Sequence, residues 1–304
     1  MLRYLLAALL AAMAFQAPAA AQPSGPARFT VTVEGAGPDV ILIPGLATPR
    51  AVWDRARAAL GGRYRLHLIQ LNGFGGTPAG PNAEGGVVAG TVEELSRYIA
   101  AAGLTRPAVI GHSMGGFIGL TLARDHPGQV DRLMIVDALP FFSTLLDPQA
   151  TAAGIEPRAA QIRDMLRAPQ RPEGEPTQAQ ADAAAAGMSR APEGRMLVAR
   201  WARAADPRVV GQAVYEIMTD DRRADLAAIR TPIHLLFAFD PAALSEERAR
   251  AIYEHAYRAA PRVRLVAVGP SQHFIMLDQP ERFDALLSDF LGAETDELTI
   301  SVTE

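Results

Sequence analysis

The chain of 304 residues contains no cysteine and no lysine. Without cysteine, the protein has no disulfide bonds, no thiol nucleophile and no thiolate metal site. Without lysine, Schiff-base catalysis, a serine–lysine dyad and the lysine of a phosphate-binding loop are excluded. The formal net charge is −4 at pH 7, which disfavours a nucleic-acid partner or an anionic membrane surface. A small or neutral substrate fits this charge balance better.

The first 21 residues match the three parts of a cleavable secretory signal peptide. Arg3 is followed by an apolar run over residues 5–15, and three alanines at 19–21 precede Gln22. Because the apolar run is too short to span a bilayer, an N-terminal anchor is the less favoured interpretation. We expect cleavage after Ala21, no stable membrane anchor after signal removal, and a periplasmic or secreted protein.

Strand-like apolar segments alternate with helical patterns along most of the chain. Thr91, with Glu94 three residues later, predicts the N-cap of a helix over 91–102. Alternation of strands and helices indicates an α/β fold with a mostly parallel, doubly wound sheet. The predicted strands cover 29–33, 39–43, 64–71, 107–110, 132–136, 233–239 and 263–268.

The alternation stops between residues 139 and 230. This stretch is rich in alanine, arginine and proline and has no convincing strand pattern. We interpret 139–230 as a helical insertion into a core formed by 22–138 and 231–292. Residues 293–304 are acidic and lack an apolar pattern, which predicts a flexible tail. Helical patterns in the insertion lie near 157–167, 193–205 and 208–219.

A Gly-x-Ser-x-Gly sequence at 111–115 follows a predicted strand and precedes a helical pattern. In a strand–turn–helix unit of this kind, the serine Oγ stands clear of the backbone, and the glycines allow strand and helix to approach closely. Ser113 is therefore the candidate nucleophile. His112 is interpreted as a structural residue, because the turn geometry constrains it.

A serine nucleophile needs a base within hydrogen-bonding reach and a carboxylate behind that base. His273 follows the last predicted strand by a few residues, which places it at the carboxyl edge of the sheet, where Ser113 emerges. The acid is expected after a strand that lies between these two residues in the chain. Asp240 is preferred because serine, aspartate and histidine then occupy successive sites along the edge. Asp137, which follows the strand at 132–136, remains the alternative.

The reaction also requires two donors for the oxyanion. The first expected donor is the backbone N–H of Met114, the residue after the nucleophile, at the start of its helix. The second is expected in the loop after an early strand, where the sequence Pro44, Gly45, Leu46 stands. We predict the Leu46 N–H as this donor.

Together these segments resemble the α/β-hydrolase family with a cap domain. The resemblance implies a triad of Ser113, Asp240 and His273, a cap over the site, and no cofactor or metal. Pro44 differs from the histidine that many relatives have before the glycine of the oxyanion loop. The turn before Asp240 lacks the common glycine-and-aspartate pattern, which keeps Asp137 in consideration. The matching segments are 43–46, 72–76, 111–116, 231–233 and 273–281.

A serine nucleophile in this family implies an acyl-enzyme formed from an ester, lactone, amide or thioester, and the fold does not choose among them. We expect hydrolysis of small to medium hydrophobic carboxylic esters. Apolar side chains in or next to the cap, including Phe141, Phe142 and Trp201, are the candidates for lining the substrate pocket.

Two other functions stay open at this point. The first is an aminopeptidase or amidase of the proline-iminopeptidase kind, whose cap should carry an acidic pair for the substrate ammonium group. Glu173, Glu175, Asp220 and Asp221 are the acids available for it. The second is a non-catalytic homologue that binds a ligand. The presence of all three triad residues argues against this second function.

Overall fold

The computed structural model describes residues 28–168 and 174–292. The expected signal peptide at 1–21 and the expected acidic tail at 293–304 lie outside the described residues and stay predictions. Within the described ranges, no helix has both the length and the apolar character needed to cross a bilayer.

A single sheet runs through the described part of the chain. Its strands are β1 (Phe29–Glu34), β2 (Asp39–Ile43), β3 (Arg65–Leu71), β4 (Ala108–His112), β5 (Leu133–Val136), β6 (Ile233–Ala238) and β7 (Val263–Val268). The strand order is β1-β3-β2-β4-β5-β6-β7. β1 pairs antiparallel with β3, and every other pair of neighbours is parallel. The carboxyl ends of β2 to β7 therefore meet at one edge of the sheet.

Helices cover both faces of this sheet. The α-helices of the described residues are α1 (Asp54–Leu60), α2 (Val87–Ala101), α3 (Met114–Asp125), α4 (Ala152–Arg167), α5 (Gln178–Ala184), α6 (Pro192–Ala204), α7 (Pro207–Thr219), α8 (Glu246–Tyr257), α9 (Ile275–Asp278) and α10 (Pro280–Gly292). One apolar cluster packs α2, α3 and α8 on the sheet, and a second packs α1 and α10. Along β2, Ile41 and Ile43 join the first cluster and Val40 and Leu42 the second, because neighbouring side chains of a strand face opposite ways. The predicted α/β, doubly wound, mostly parallel fold is confirmed.

The described parts of residues 139–230 contain helices α4 to α7 and no strand, in line with a helical insertion. Helix α5 has no counterpart among the predicted helical patterns. It begins with a capping box, in which the Gln180 N–H donates to Thr177 Oγ1 and the Thr177 N–H donates to Gln180 Oε1. The insertion thus carries local helix-start signals of its own.

Helix α2 begins four residues earlier than the sequence predicts. Thr91 is fully buried inside the helix and does not cap it, so its assignment as the N-cap is wrong. The N–H groups of Val87 and Val88 instead donate to the Glu216 carboxylate of α7, at 3.1 and 2.7 Å. A carboxylate at a helix N-terminus satisfies open N–H groups and interacts favourably with the helix dipole. Because this cap comes from the insertion, no local signal marks the start of α2.

One buried histidine of the core has no hydrogen-bond partner. His234 of β6 is 2% exposed, and both of its ring nitrogens are unpaired within the described residues. Its ring lies beside Phe290, at 5.9 Å between centroids. Burial, together with the charge of Arg264, lowers the pKa of His234 to about 4. The imidazole is therefore neutral at pH 7.

This histidine makes stability depend on pH. The pKa of His234 is about 4 in the folded protein, against an ordinary value of 6.5, so between these values the unfolded chain binds a proton that the folded protein does not. We expect His234 to lower the free energy of unfolding by about 1.4 kcal/mol per unit as the pH falls through this window. His234→Leu removes two unpaired polar atoms and should raise stability at pH 5 more than at pH 7. Urea unfolding at both pH values measures this difference, and an equal effect at the two would contradict it.

Candidate active site

Ser113 lies at a strained turn between β4 and α3. Its backbone has φ +53° and ψ −122°, a conformation that non-glycine residues rarely adopt. A Cβ at Gly111 would collide with the Gly115 carbonyl, and a Cβ at Gly115 would collide with the Ile43 carbonyl of β2. Only glycine therefore fits at positions 111 and 115, as the sequence motif predicts.

His273 lies in the loop between β7 and α9 and contacts a carboxylate from another strand end. Its Nδ1 donates to Asp137 Oδ2 at 2.6 Å. Asp137 directly follows β5 and has a positive φ of 55°. The structure thus joins His273 to the alternative acid of the sequence analysis.

Asp137 is held by two further donors. The Ala238 N–H and the Tyr253 hydroxyl both donate to its Oδ1, each at 2.9 Å. Burial by itself would raise the pKa of Asp137, but the hydrogen bond and charge of His273, followed by these two donors, lower it below the ordinary 3.8. The carboxylate is therefore ionised at neutral pH. Its Oδ2 binds His273, and its Oδ1 binds the Ala238 N–H and the Tyr253 hydroxyl.

Asp240, the preferred acid of the sequence analysis, does not contact His273. Its Oδ2 lies 3.1 Å from Arg190 Nε of the insertion, and its Oδ1 accepts the Ala242 N–H at 3.2 Å. Asp240 stands two residues beyond β6, where its carboxylate caps the turn that leaves the sheet. The expectation that Asp240 pairs with His273 is therefore corrected.

The two expected oxyanion donors lie on elements that meet at Ser113. A Cβ at Gly45 would stand 3.2 Å from Ser113 Cβ, so the loop carrying Leu46 lies against the serine. Met114 begins α3 directly after it. Among the described residues, neither the Leu46 N–H nor the Met114 N–H donates a hydrogen bond. The loop that carries Leu46 and the first residue of α3 therefore both lie next to the serine.

His112 contacts the histidine loop, a role that sequence reasoning missed. Its Nε2 donates to the His273 carbonyl at 3.1 Å, and the two rings lie 4.7 Å apart. Burial, followed by the charge of His273, lowers the pKa of His112 to about 3, so its ring is neutral. The only signal in the sequence is that this histidine precedes the nucleophile, which does not reveal a partner 161 positions away.

The three aromatic residues predicted to line the substrate pocket have different surroundings. Phe142 lines a cavity of about 260 Å³ together with Leu139, Leu244 and His273. Trp201, also expected to line the pocket, does not line this cavity. It packs on Phe274, the neighbour of His273, at 5.9 Å between ring centroids.

Phe141 does not line this cavity. Its side chain is fully buried in a cluster with Ile155 and Met218 at the base of the insertion, and the Arg223 guanidinium lies over its ring. Its expected role as a substrate-binding residue is therefore corrected to one in packing the insertion.

Within the described ranges there is no metal site, and none of the acids considered for an aminopeptidase lacks a cationic partner. No group of three or more histidine, aspartate or glutamate residues there could hold a metal ion. Three acids considered for an aminopeptidase are paired with arginine: Glu175 with Arg200, Asp220 with Arg222, and Asp221 with Arg223. The fourth, Glu173, lies outside the described residues.

Comparison with known proteins identifies similar chains. The pimeloyl-(acyl-carrier protein) methyl ester esterase of Aeromonas hydrophila is 35% identical over 116 residues, which cover 38% of this chain and 44% of the esterase. This match therefore spans less than half of that relative's length. A Cronobacter turicensis protein, provisionally named carbamate hydrolase RutD, is 26% identical over 274 residues, which cover 85% of this chain and 92% of that protein.

Solved structures and a family model agree with these matches. The enol-lactonase of Burkholderia xenovorans has the same fold, with a TM-score of 0.67 at 20% identity over 87% of this chain and 96% of the lactonase. The model of the "Alpha/beta hydrolase family" matches residues 40–286. Most of the described chain, from β2 to α10, falls within that match. The chain belongs to the alpha/beta hydrolase family.

Proposed function

We propose that this protein is a serine hydrolase that cleaves carboxylic esters through an acyl-enzyme. The observation that carries the proposal is the 2.6 Å hydrogen bond between His273 Nδ1 and the buried Asp137, at the sheet edge where Ser113 stands on its strained turn. A nucleophile, a base and an oriented carboxylate are the groups that acyl transfer requires.

In the proposed reaction, Asp137 keeps the proton of His273 on Nδ1, which leaves the Nε2 lone pair to act as the base. Ser113 Oγ and His273 Nε2 each lack a hydrogen-bond partner within the described residues. His273 accepts the Ser113 proton as Oγ attacks the ester carbonyl, and then delivers it to the departing alkoxide. A water activated by the same nitrogen hydrolyses the acyl-enzyme and releases the acid.

The Leu46 and Met114 N–H groups are proposed to stabilise the tetrahedral oxyanion. Both are backbone donors without another acceptor in the described chain, and Met114 is at the positive end of α3. Loss of one such donor typically lowers the rate by about 10²- to 10³-fold, so two of them supply a large share of the catalysis.

The substrate class rests on the cavity beside His273. Its lining is mostly apolar and includes Leu139, Phe142 and Leu244, and its volume of about 260 Å³ suits a small hydrophobic group. A relative named as a methyl ester esterase supports ester hydrolysis in general. The pairing of Glu175, Asp220 and Asp221 with arginine disfavours the aminopeptidase alternative.

Export is a separate part of the proposal. Residues 1–21 are proposed to direct the protein out of the cytoplasm and to be removed after Ala21, which would leave Gln22 at the mature N-terminus.

The assignment of Ser113 is tested by covalent labelling. We expect a fluorophosphonate probe to label the wild-type protein and not Ser113→Ala, because the probe reacts with a serine activated by a base. Intact-mass spectrometry counts one adduct, and Ser143→Ala, which changes a buried serine bonded to the Met218 carbonyl, is the control. An unlabelled wild type would overturn the enzyme proposal.

The identity of the acid is tested by the same substitution at two strand ends. Asp137→Asn should lower kcat by about 10³- to 10⁴-fold, because an asparagine no longer holds His273 in the reactive tautomer. Asn tolerates the positive φ of Asp137, so the backbone is preserved. Asp240→Asn, which removes the charge that pairs with Arg190 but keeps an oxygen to accept the Ala242 N–H, should cause a much smaller fall. Hydrolysis of p-nitrophenyl acetate measures both, and the reverse order would assign the acid to Asp240.

Substrate preference is measured with a panel of leaving groups and acyl groups. We expect short and medium p-nitrophenyl esters to react faster than aminoacyl p-nitroanilides and p-nitrophenyl carbamates, judged by kcat/KM. A preference for aminoacyl substrates would support the peptidase alternative, and a preference for carbamates would exclude esters as the main substrate.

A further inference from the structure

Three consecutive residues of the loop that carries His273 are each held by a hydrogen bond. The Gln272 N–H donates to Asp278 Oδ2 at 2.8 Å. The His273 carbonyl accepts from His112 Nε2, and the Phe274 N–H donates to the carbonyl of Met188 at 2.8 Å. Met188 belongs to the helical insertion, so the insertion contacts the histidine loop directly.

Asp278, the last residue of α9, joins the loop to the insertion through a single carboxylate. Besides the Gln272 N–H, it accepts the Ser189 hydroxyl on Oδ1 at 2.6 Å. The Arg190 N–H is shared between its two oxygens, at 3.0 and 3.1 Å. One carboxylate therefore fixes the residue before the base and two residues of the insertion at the same time.

The insertion segment that Asp278 binds is itself constrained. The Arg190 side chain pairs with Asp240 at 3.1 Å, and the Arg195 guanidinium donates to the carbonyls of Ser189 and Arg190, at 3.2 and 2.6 Å. A Cβ at Gly194 would collide with Ser189, which is fully buried. We call the segment Met188, Ser189 and Arg190 the docking turn.

From this geometry we propose that Asp278 is a positioning residue, which sets the place of His273 by clamping the docking turn of the insertion onto the histidine loop. The inference rests on the proposed serine hydrolase function. Hydrogen bonds to a carboxylate are stronger than those between neutral groups, so the clamp resists displacement of the loop.

The clamp matters because the base works over a narrow range of positions. A displacement of about 1 Å can lower the rate by on the order of 10²-fold. If Asp278 is removed, the Gln272 N–H and the docking turn lose their common acceptor. His273 keeps its bonds to Asp137 and His112, and the loop keeps the bonds from the Ser271 N–H to Phe239 and from the Phe274 N–H to Met188.

Of the residues that line the cavity, Ser271, Gln272 and His273 belong to this loop, whereas Leu139, Phe142 and Leu244 do not. Most apolar contacts to the substrate are therefore preserved, while proton transfer is slowed. The expected signature is a fall in kcat that exceeds any rise in KM.

The test compares Asp278→Ala, Asp278→Asn and Ser189→Ala. We expect kcat to fall by on the order of 10²-fold for Asp278→Ala and by about tenfold for Ser189→Ala, which removes only the bond on the insertion side. The kcat of Asp278→Asn should lie between those of the other two variants. The asparagine oxygen replaces one acceptor, but its N–H₂ group cannot accept the hydrogen bonds that reach the second oxygen of Asp278. Asp284→Asn is the matched control. It removes a carboxylate of α10 that pairs with Arg55 and leaves the docking turn untouched.

A spectroscopic readout separates positioning from general stability. The proton on His273 Nδ1, bonded to Asp137, should give a downfield NMR resonance in the wild type and in Asp284→Asn. In Asp278→Ala this resonance should broaden or shift upfield. The spectrum is recorded at a temperature where urea unfolding shows that the variant is folded. A sharp, unshifted resonance with wild-type kcat in Asp278→Ala would overturn the proposal.

Two further outcomes are informative. If Asp278→Ala does not fold, Ser189→Ala carries the test, and an unchanged kcat in that variant overturns the proposal. If the wild type gives the downfield resonance but neither reacts with the fluorophosphonate nor hydrolyses any ester, the proposed function fails. In that case the effect of Ser189→Ala on the resonance still decides whether the docking turn positions His273.

Discussion

The buried carboxylate of Asp137, at the end of β5, requires hydrogen-bond donors from several other parts of the fold. Asp137 loses its hydration on burial and stays ionised only because donors from three other parts of the chain surround it. The backbone of β6 supplies the Ala238 N–H, α8 supplies the Tyr253 hydroxyl, and the loop after β7 supplies His273. The hydrogen bonds to Asp137 therefore fix β6, α8 and the loop after β7 relative to the end of β5.

The insertion and the core also satisfy each other's polar groups. The Glu216 carboxylate of α7 accepts the first N–H groups of α2, and Asp278 of the core accepts donors of the docking turn. The Gly76 N–H donates to the Ala204 carbonyl, and the Asp206 N–H donates to the Gly73 carbonyl. The insertion is therefore attached by hydrogen bonds on several sides of the site. Its placement and the placement of the proposed base are physically connected.

Three aspartates near this edge of the sheet have distinct partners. Asp137 is bonded to the histidine, Asp240 to Arg190, and Asp278 to the docking turn and the histidine loop. Residue type and strand position make Asp137 and Asp240 equivalent in sequence, since each comes soon after a parallel strand. What separates them is the direction in which the chain leaves the strand. The positive φ at Asp137 turns its carboxylate toward His273, whereas Asp240 starts a turn closed by its own side chain.

Local patterns of residues were enough to predict the strands, the helical character of the insertion and the turn at Ser113. These features follow from the spacing of apolar residues and from glycines at 111 and 115, which are local properties of the chain. Tertiary structure alone decided the partner of His273, the start of α2 and the packing role of Phe141. Asp137 and His273 are 136 positions apart, and Glu216 caps a helix 128 positions before it. Contacts across such distances depend on how elements pack, which no local pattern of residues encodes.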